Sequence, residues 1–412
     1  MKQRSSVAPP RSNDAARGLA AVPRGVWVLG LVSMCMDLSS ELVHALLPLY
    51  LATVLGASTL VIGVIEGIAE AIALIVKVFS GAISDWTRKR KPLMLMGYGI
   101  GALSKFVFPL ATTLPWFVGA RFADRFGKGI RGAPRDALIA DISPPEMRGR
   151  SFGLRQTLDT IGGMGGPLLA LGAMAFFAGD FRAAFWVAVI PAMLCVVLIV
   201  VGVEEPAREP AAASLPRWRF TDARRLPRAF WIIVGIAGVL TLARFSEAFL
   251  LLRALSVGVP VTLAPLVMVV MTLAYALTAY PAGAALDRGH APALLGGGLA
   301  ALVAADIVLA RADGMPAVLA GAALWGLHMG LTQGLLDALV AKVAPADIRG
   351  TAFGLFNLVT GIALLTASVL AGWLWDTQGP AFTFYAGAIF TLIAAVGLWL
   401  RRDTVAAIGK PG

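Results

Sequence analysis

The sequence predicts an all-α membrane protein of twelve transmembrane helices, arranged as two pseudo-symmetric six-helix bundles. Of its 412 residues, 58% are hydrophobic and only 14% are charged, which is too apolar for a soluble protein of this size. Twelve segments are long and apolar enough to cross a bilayer, which requires about 20 residues. A repeat in the polar loops relates the two halves of the chain.

The predicted spans are separated by polar or charged loops. They cover residues 26–52, 59–84, 93–112, 116–140, 150–177, 182–203, 229–256, 261–286, 292–311, 316–343, 350–374 and 380–401. The interval 204–228 is the longest polar stretch between spans, and its four prolines make it a poor helix. The expected division is an N-terminal tail at 1–25, one bundle at 26–203, a linker at 204–228, a second bundle at 229–401 and a tail at 402–412.

The distribution of the net charge of +11 predicts the orientation of the chain in the membrane. Cations precede the first span and fill the even-numbered loops, whereas the odd loops 53–58 and 112–115 contain none. By the positive-inside rule, both termini are expected in the cytoplasm, and such short loops favour a bacterial inner membrane. Nucleic-acid binding, the alternative for a basic chain, is disfavoured because the cations are spread over loops between spans.

The sequence predicts no cofactor, no metal and no enzymatic activity. Cys35 and Cys195 are isolated within apolar segments, and three histidines add little for a metal site. The sequence lacks H-E-x-x-H, G-x-S-x-G and Walker nucleotide-binding motifs. The expected partners are therefore a small-molecule substrate, protons and membrane lipids, and we expect a monomer.

The two halves share an internal repeat. Residues 136–154 align without gaps on 337–355 and are identical at ten of nineteen positions. A second pair, Gly81-x-x-x-Asp85 and Gly283-x-x-x-Asp287, lies at the end of the second span of each half. Parallel six-span repeats around an axis along the membrane normal are typical of one large class of transporters.

The loop after the second span, GAISDWTRKRK at 81–91, resembles the G-x-x-x-D-x-x-G-R-[RK] signature of the major facilitator superfamily. It departs from that signature at Thr87, where the family usually has glycine. The resemblance extends over essentially all twelve spans and implies a cytoplasmic gate built from this loop and its repeat. The gate residues it implies are Gly81, Asp85, Arg88, Asp136, Arg148, Gly283, Asp287 and Arg349.

Two further motifs bear on coupling. Arg125-Phe-Gly-Lys-Gly129 resembles the fourth-span R-x-x-x-G motif of proton-coupled members, although Arg121 is an alternative counterpart. Residues 162–167, GGMGGP, resemble the antiporter motif G-x-x-x-G-P of the fifth span. A helix crossing packed through small residues explains these glycines equally well.

A stripe of five cations runs along the predicted fourth span. At about 100° per residue they occupy roughly a third of the helix circumference. The stripe consists of Arg121, Arg125, Lys128, Arg131 and Arg135. Facing lipid would cost about 3 kcal/mol or more for each charge, so the stripe must face a water-filled cavity or opposing carboxylates.

Acidic pairs in the first two spans supply such carboxylates. Each pair is spaced four residues apart and so shares one helix face, where two close carboxylates resist double ionisation and can take up a proton. The candidate proton-coupling and cavity residues are Asp37, Glu41, Glu66, Glu70, Arg121, Arg125, Arg155 and Asp159. The alternative is that these charges form ion pairs that fix helix register without a role in transport.

The predicted function is secondary active transport of a small organic solute by alternating access, driven by protons. The basic stripe favours an anionic or zwitterionic solute, and export is favoured over import. A uniporter or symporter of the same fold and a membrane sensor or scaffold that does not transport are the alternatives.

Overall fold

The computed structural model describes residues 22–87, 89–144, 147–205, 220–345 and 348–400. Within these ranges the chain forms α-helices and one 3₁₀ helix, Phe220–Arg225, and contains no strand. The helices are α1 (Arg24–Thr53), α2 (Thr59–Thr87), α3 (Arg90–Leu110), α4 (Leu114–Ile142), α5 (Arg148–Phe176), α6 (Phe181–Gly202), α7 (Arg228–Ala243), α8 (Ala248–Ser256), α9 (Leu266–Asp287), α10 (Ala291–Ala310), α11 (Met315–Val343), α12 (Arg349–Gln378) and α13 (Pro380–Leu400).

The predicted twelve-span architecture is confirmed. With α7 and α8 counted as one segment, ten of the described helices are long and apolar enough to cross a membrane. The other two are α4 and α5, whose charged residues lower their apolar character. Each has 29 residues, or about 44 Å of helix, so both are long enough to cross.

The predicted seventh span at 229–256 crosses as one segment, Arg228–Ser256, but its helix is interrupted in the middle. The helix ends at Ala243 and resumes at Ala248. Arg244 leaves the helical region with φ −105° and ψ 75°. Because apolar residues continue on both sides, hydropathy alone gives no sign of this break.

Contacts between loops and helix ends define two ends of the bundle. At the first, called the basic end, Lys91 Nζ donates to the Val203 carbonyl at 2.7 Å, and Arg90 Nε lies 2.7 Å from Asp141 Oδ2. At the opposite, or far, end, the Tyr50 ring stacks on Phe117 at 4.8 Å. The predicted basic loops therefore share one end of the molecule.

The two bundles meet at the far end through α2 and α12. The Asp376 carboxylate, at the end of α12, accepts hydrogen bonds from the first backbone amides of α2, Thr59 N at 3.1 Å and Leu60 N at 2.9 Å. A Cβ on Gly372 would lie 2.6 Å from the Leu60 Cα, and one on Gly63 would clash with the Ser368 carbonyl. We call this contact of Asp376 with the α2 amides the far-end latch.

The far-end latch predicts a conformational effect of Asp376→Ala. An N-cap carboxylate contributes about 1 kcal/mol, so its loss should shift the balance toward far-end opening about fivefold. Spin labels at Thr113→Cys and Asp313→Cys, in far-end loops of the two halves, should report longer distances.

Asp180→Ala is the matched control for the latch. The Asp180 carboxylate caps α6 within one bundle, through the Arg182 and Ala183 amides at 2.9 and 3.3 Å. Its loss should leave the distance between the labels unchanged. Equal distance distributions for Asp376→Ala and the parent would show that the latch does not hold the bundles together.

Candidate substrate cavity and buried ion pairs

A cavity of about 580 Å³ lies between the two bundles. It begins near the middle of the helices and extends toward the basic end, where Asp337 and Phe353 lie within about 10 Å of the ends of their helices. Its wall is formed by Glu41, His44, Glu70, Leu74, Lys77, Arg125, Lys128, Thr241, Arg244, Phe245, Ser246, Glu247, Trp325, Gln333, Leu336, Asp337, Phe353, Phe356, Asn357, Thr360 and Leu364. With the far end held shut by α2 and α12, the cavity is on the basic-end side.

The cationic stripe of α4 turns inward, as the cost of exposing charge to lipid requires. Arg121 and Arg125 are 0% and 1% exposed, whereas Phe126 on the opposite face is 44% exposed. Arg121 binds Glu66 through two parallel hydrogen bonds, Nε–Oε1 at 3.0 Å and Nη2–Oε2 at 2.6 Å. This bidentate geometry is the strongest form of an arginine–carboxylate pair.

Further charges extend this pair into a deep cluster. Arg125 Nη1 lies 3.2 Å from Glu70 Oε1, and Arg121 Nη2 lies 3.6 Å from the same atom. Lys105 Nζ donates to Asp124 Oδ1 at 2.6 Å, with both side chains at most 1% exposed. Asp124 was missed from sequence, although its position three residues after Arg121 places it on the charged face of α4.

His44 connects the cavity to the deep cluster. Its Nδ1 lies 3.2 Å from Glu41 Oε2, on the cavity wall, and its Nε2 lies 3.4 Å from Glu66 Oε2. The Glu41 side chain is 22% exposed and the Glu66 side chain is fully buried. Sequence reasoning missed His44; its spacing of three residues from Glu41 was the available signal.

A second group of charges, the basic-end cluster, surrounds the half of α4 that is nearer the basic end. Its members are Asp37, Arg131, Arg135, Asp136, Arg155 and Asp159. Arg155 bridges Asp159 at 3.0 Å and Asp136 at 3.6 Å. Arg135 also contacts both of these acids, at 3.7 and 3.0 Å, and Arg131 Nη2 lies 3.9 Å from Asp37. These contacts join α1, α4 and α5.

The predicted cavity residues therefore separate into three environments. Glu41, Glu70 and Arg125 lie on the cavity wall. Glu66 and Arg121 are sealed behind it, and Asp37, Arg155 and Asp159 belong to the basic-end cluster. The placement of Asp37 and Arg121 thus differs from the expected cavity lining, because each is held by charges on neighbouring helices.

The predicted gate residues that lie in the described part of the chain do not come together between the bundles. Arg148 is exposed, a Cβ on Gly283 would meet open space, and Asp136 pairs within its own bundle. Gly81 packs near Ala133, 3.4 Å from where its own Cβ would lie. Arg88 and the side chains of Asp85, Asp287 and Arg349 lie outside the described part of the chain.

The glycine motif of α5 forms a close crossing with α1. A Cβ on Gly162 would lie 2.5 Å from the Met34 carbonyl, and one on Gly166 would lie 2.5 Å from the Glu41 Cβ. Such contacts require glycine, because the α1 backbone lies directly against α5. The motif thereby fixes the height and rotation of the α1 segment that carries Glu41.

Comparisons with known proteins agree with this fold. The sequence model of the Major Facilitator Superfamily matches residues 29–255 and 248–412, and the chain belongs to this family. An uncharacterized MFS-type transporter of Methanocaldococcus jannaschii is 29% identical over 398 residues, covering 94% of this chain and 96% of that protein.

Two further similarities also cover at least 91% of this chain. The inner membrane transport protein YajR of Escherichia coli is 24% identical over 402 residues, covering 94% of this chain and 83% of that protein. The crystal structure of a variant of the nucleoside transporter NupG has the same fold, with a TM-score of 0.76 at 14% identity over 91% of this chain and 99% of that one. The chain is thus a multi-pass membrane transporter of the superfamily.

The deep cluster predicts unequal effects for two identical substitutions one helical turn apart. Glu66→Gln should destabilise the protein by about 3 kcal/mol, because Arg121 loses its bidentate partner in a buried site. Glu70→Gln should cost less, since the Glu70 side chain is 26% exposed and water can replace it. Thermal unfolding in detergent, followed by intrinsic fluorescence, measures both; equal losses would contradict the difference in burial.

The helix crossing predicts that Gly166→Ala destabilises the protein and Gly163→Ala does not. The first places a methyl group 2.5 Å from the Glu41 Cβ, whereas the second meets nothing within 4 Å. Overpacking of this kind costs about 1–3 kcal/mol. Thermal unfolding again provides the measurement, and a stable Gly166→Ala would mean that α1 and α5 can separate freely.

Proposed function

We propose that the protein is a proton-coupled secondary transporter that exports a small anionic or zwitterionic organic solute by alternating access. The basic end is then cytoplasmic, in a bacterial inner membrane, and the described conformation is open to the cytoplasm. The transporter works as a monomer, with both termini in the cytoplasm. The cavity between the bundles is the binding site.

The position of His44 is the observation that carries this proposal. Its imidazole contacts Glu41, which lines the cavity and is 22% exposed, and Glu66, which is fully buried and pairs with Arg121. Imidazole is the side chain that ordinarily changes charge between pH 5 and pH 8. A proton that enters from the cavity can therefore reach the buried Glu66 through His44.

The arrangement also supplies a way to link proton binding to conformation. His44 and Glu41 lie on α1, whereas Glu66 lies on α2, and α2 forms the far-end latch with α12. A movement that opens the far end shifts α2 relative to α12 and changes the surroundings of Glu66. Gain or loss of a proton at His44 then favours one state over the other, because the two states differ in interaction energy with that charge.

Reconstituted protein provides the test. Solutes that raise its thermal stability are chosen from a panel of small organic anions and zwitterions, and flux of the radiolabelled solute is then followed in proteoliposomes. In the parent protein an imposed pH gradient should drive solute accumulation against its own gradient. His44→Gln should retain exchange of labelled for unlabelled solute but lose this accumulation.

His290→Gln serves as the control, because His290 is an exposed histidine at the basic end. It should accumulate solute as the parent does. If solute flux in the parent protein does not depend on the pH gradient, proton coupling is refuted. Solute binding without any flux would favour a sensor that does not transport. The direction of solute transport relative to protons is read from the compartment that must be acidic for the solute to accumulate inside the proteoliposomes.

A further inference from the structure

The break in the seventh span places charged residues on the cavity wall at membrane depth. Arg244, Phe245, Ser246 and Glu247 connect α7 to α8, and all four line the cavity. Arg244 is 16 residues from the start of α7, about 24 Å along the helix from the basic end. The whole segment Arg228–Ser256 has 29 residues, or about 44 Å of helix, so Arg244 lies near its middle and within the depth of the hydrocarbon region.

Arg244 differs from other buried arginines of the membrane-spanning helices. Arg121 and Arg125 have carboxylate partners within 4.0 Å. Arg253 donates to backbone carbonyls, among them those of Leu309 and Ala312, each at 2.8 Å. Within the described part of the chain, the Arg244 guanidinium makes neither a hydrogen bond nor an ion pair, and its Nε is buried without a partner. An unpaired cation at this depth is costly.

We propose that Arg244 binds the carboxylate of the transported solute, and that Glu247 faces its ammonium group. A guanidinium offers a planar pair of donors that matches a carboxylate. Among the described residues that the C-terminal bundle contributes to the cavity wall, Arg244 is the only cation, and the acid Glu247 in the same break disfavours a second negative charge. The site therefore fits a monoanionic carboxylate better than a phosphate or a dicarboxylate.

The cavity residues around Arg244 indicate the chemistry of the solute beyond its carboxylate. Glu247 also has no ion-pair partner among the described residues, and it lines the same cavity as Glu41 and Glu70. A solute ammonium in the cavity is therefore attracted by acids of both bundles. The rings of Phe245 and Trp325, 5.3 Å apart, border the same space and favour a flat or apolar body. The solute class is thus an amino carboxylate with an apolar middle.

This inference rests on the proposed function in taking the bound molecule as a transported solute, but its test measures binding alone. The probes are benzoate, benzylamine and 4-(aminomethyl)benzoate, which share one ring and differ only in charge. Isothermal titration of the purified full chain in detergent gives the affinity for each. The parent should bind the zwitterion and benzoate saturably and benzylamine more weakly.

Three substitutions at two positions assign the charges. Arg244→Gln should weaken benzoate and the zwitterion about tenfold or more, the effect of losing a charge-assisted hydrogen bond, and should leave benzylamine unaffected. Arg244→Lys, which keeps the charge but loses the planar fork, should lie between. Glu247→Gln should weaken the zwitterion but not benzoate. Unchanged thermal unfolding shows that the variants fold.

Lys77→Gln is the matched control. Lys77 lines the same cavity and has no ion-pair partner among the described residues, so its loss changes the overall charge equally. Benzoate affinity should stay within about twofold of the parent. The inference is overturned if the parent does not bind benzoate saturably, if Arg244→Gln binds it normally, or if Lys77→Gln weakens it as much.

The outcomes separate this inference from the proposed function. Binding that depends on Arg244, without flux driven by a pH gradient, would leave the site intact and remove proton-coupled transport. Flux driven by a pH gradient, for a solute whose binding does not depend on Arg244, would support the proposed function and refute the proposed carboxylate site.

Discussion

The ion pair between Glu66 and Arg121 is the constraint on which the N-terminal bundle depends. Both side chains are 0% exposed, and either charge alone would be strongly unfavourable at this depth. The pair requires α2 and α4 to lie side by side with their polar faces in register. His44 then brings α1 to the same carboxylate, so three helices are fixed by one buried group.

The sequence predicts those parts of the structure that depend on local patterns. Spans follow from apolar length, and the inward face of α4 follows from the spacing of its cations. The partner of each cation does not follow, because it depends on which helices are neighbours. Asp37 pairs with Arg131 and Glu66 pairs with Arg121, a choice set by helix height and rotation that spacing alone leaves open.

Residues with two plausible roles are the hardest to assign from sequence. The glycines of α5 resemble a transport motif, but Gly162 and Gly166 also allow the α1 backbone to touch α5. The close crossing gives them a physical role without assigning a direction of transport. His44 was overlooked for a different reason: its spacing from Glu41 is visible in the sequence, but its contact with Glu66 becomes evident only when α1 and α2 are packed together.

The two bundles have similar loop sequences but different buried charges. Residues 136–154 and 337–355 are identical at ten of nineteen positions, yet Arg121 and Arg125 of α4 are paired with acids whereas Arg244 of the C-terminal bundle is open to the cavity. The repeated loops lie at the basic end, where the two bundles approach and separate during transport by alternating access. The interiors face one common cavity from opposite sides, so symmetry there would place like charges against each other. A paired wall opposite an arginine without an ion-pair partner among the described residues avoids that repulsion, and the solute that we propose would supply the charge that Arg244 lacks.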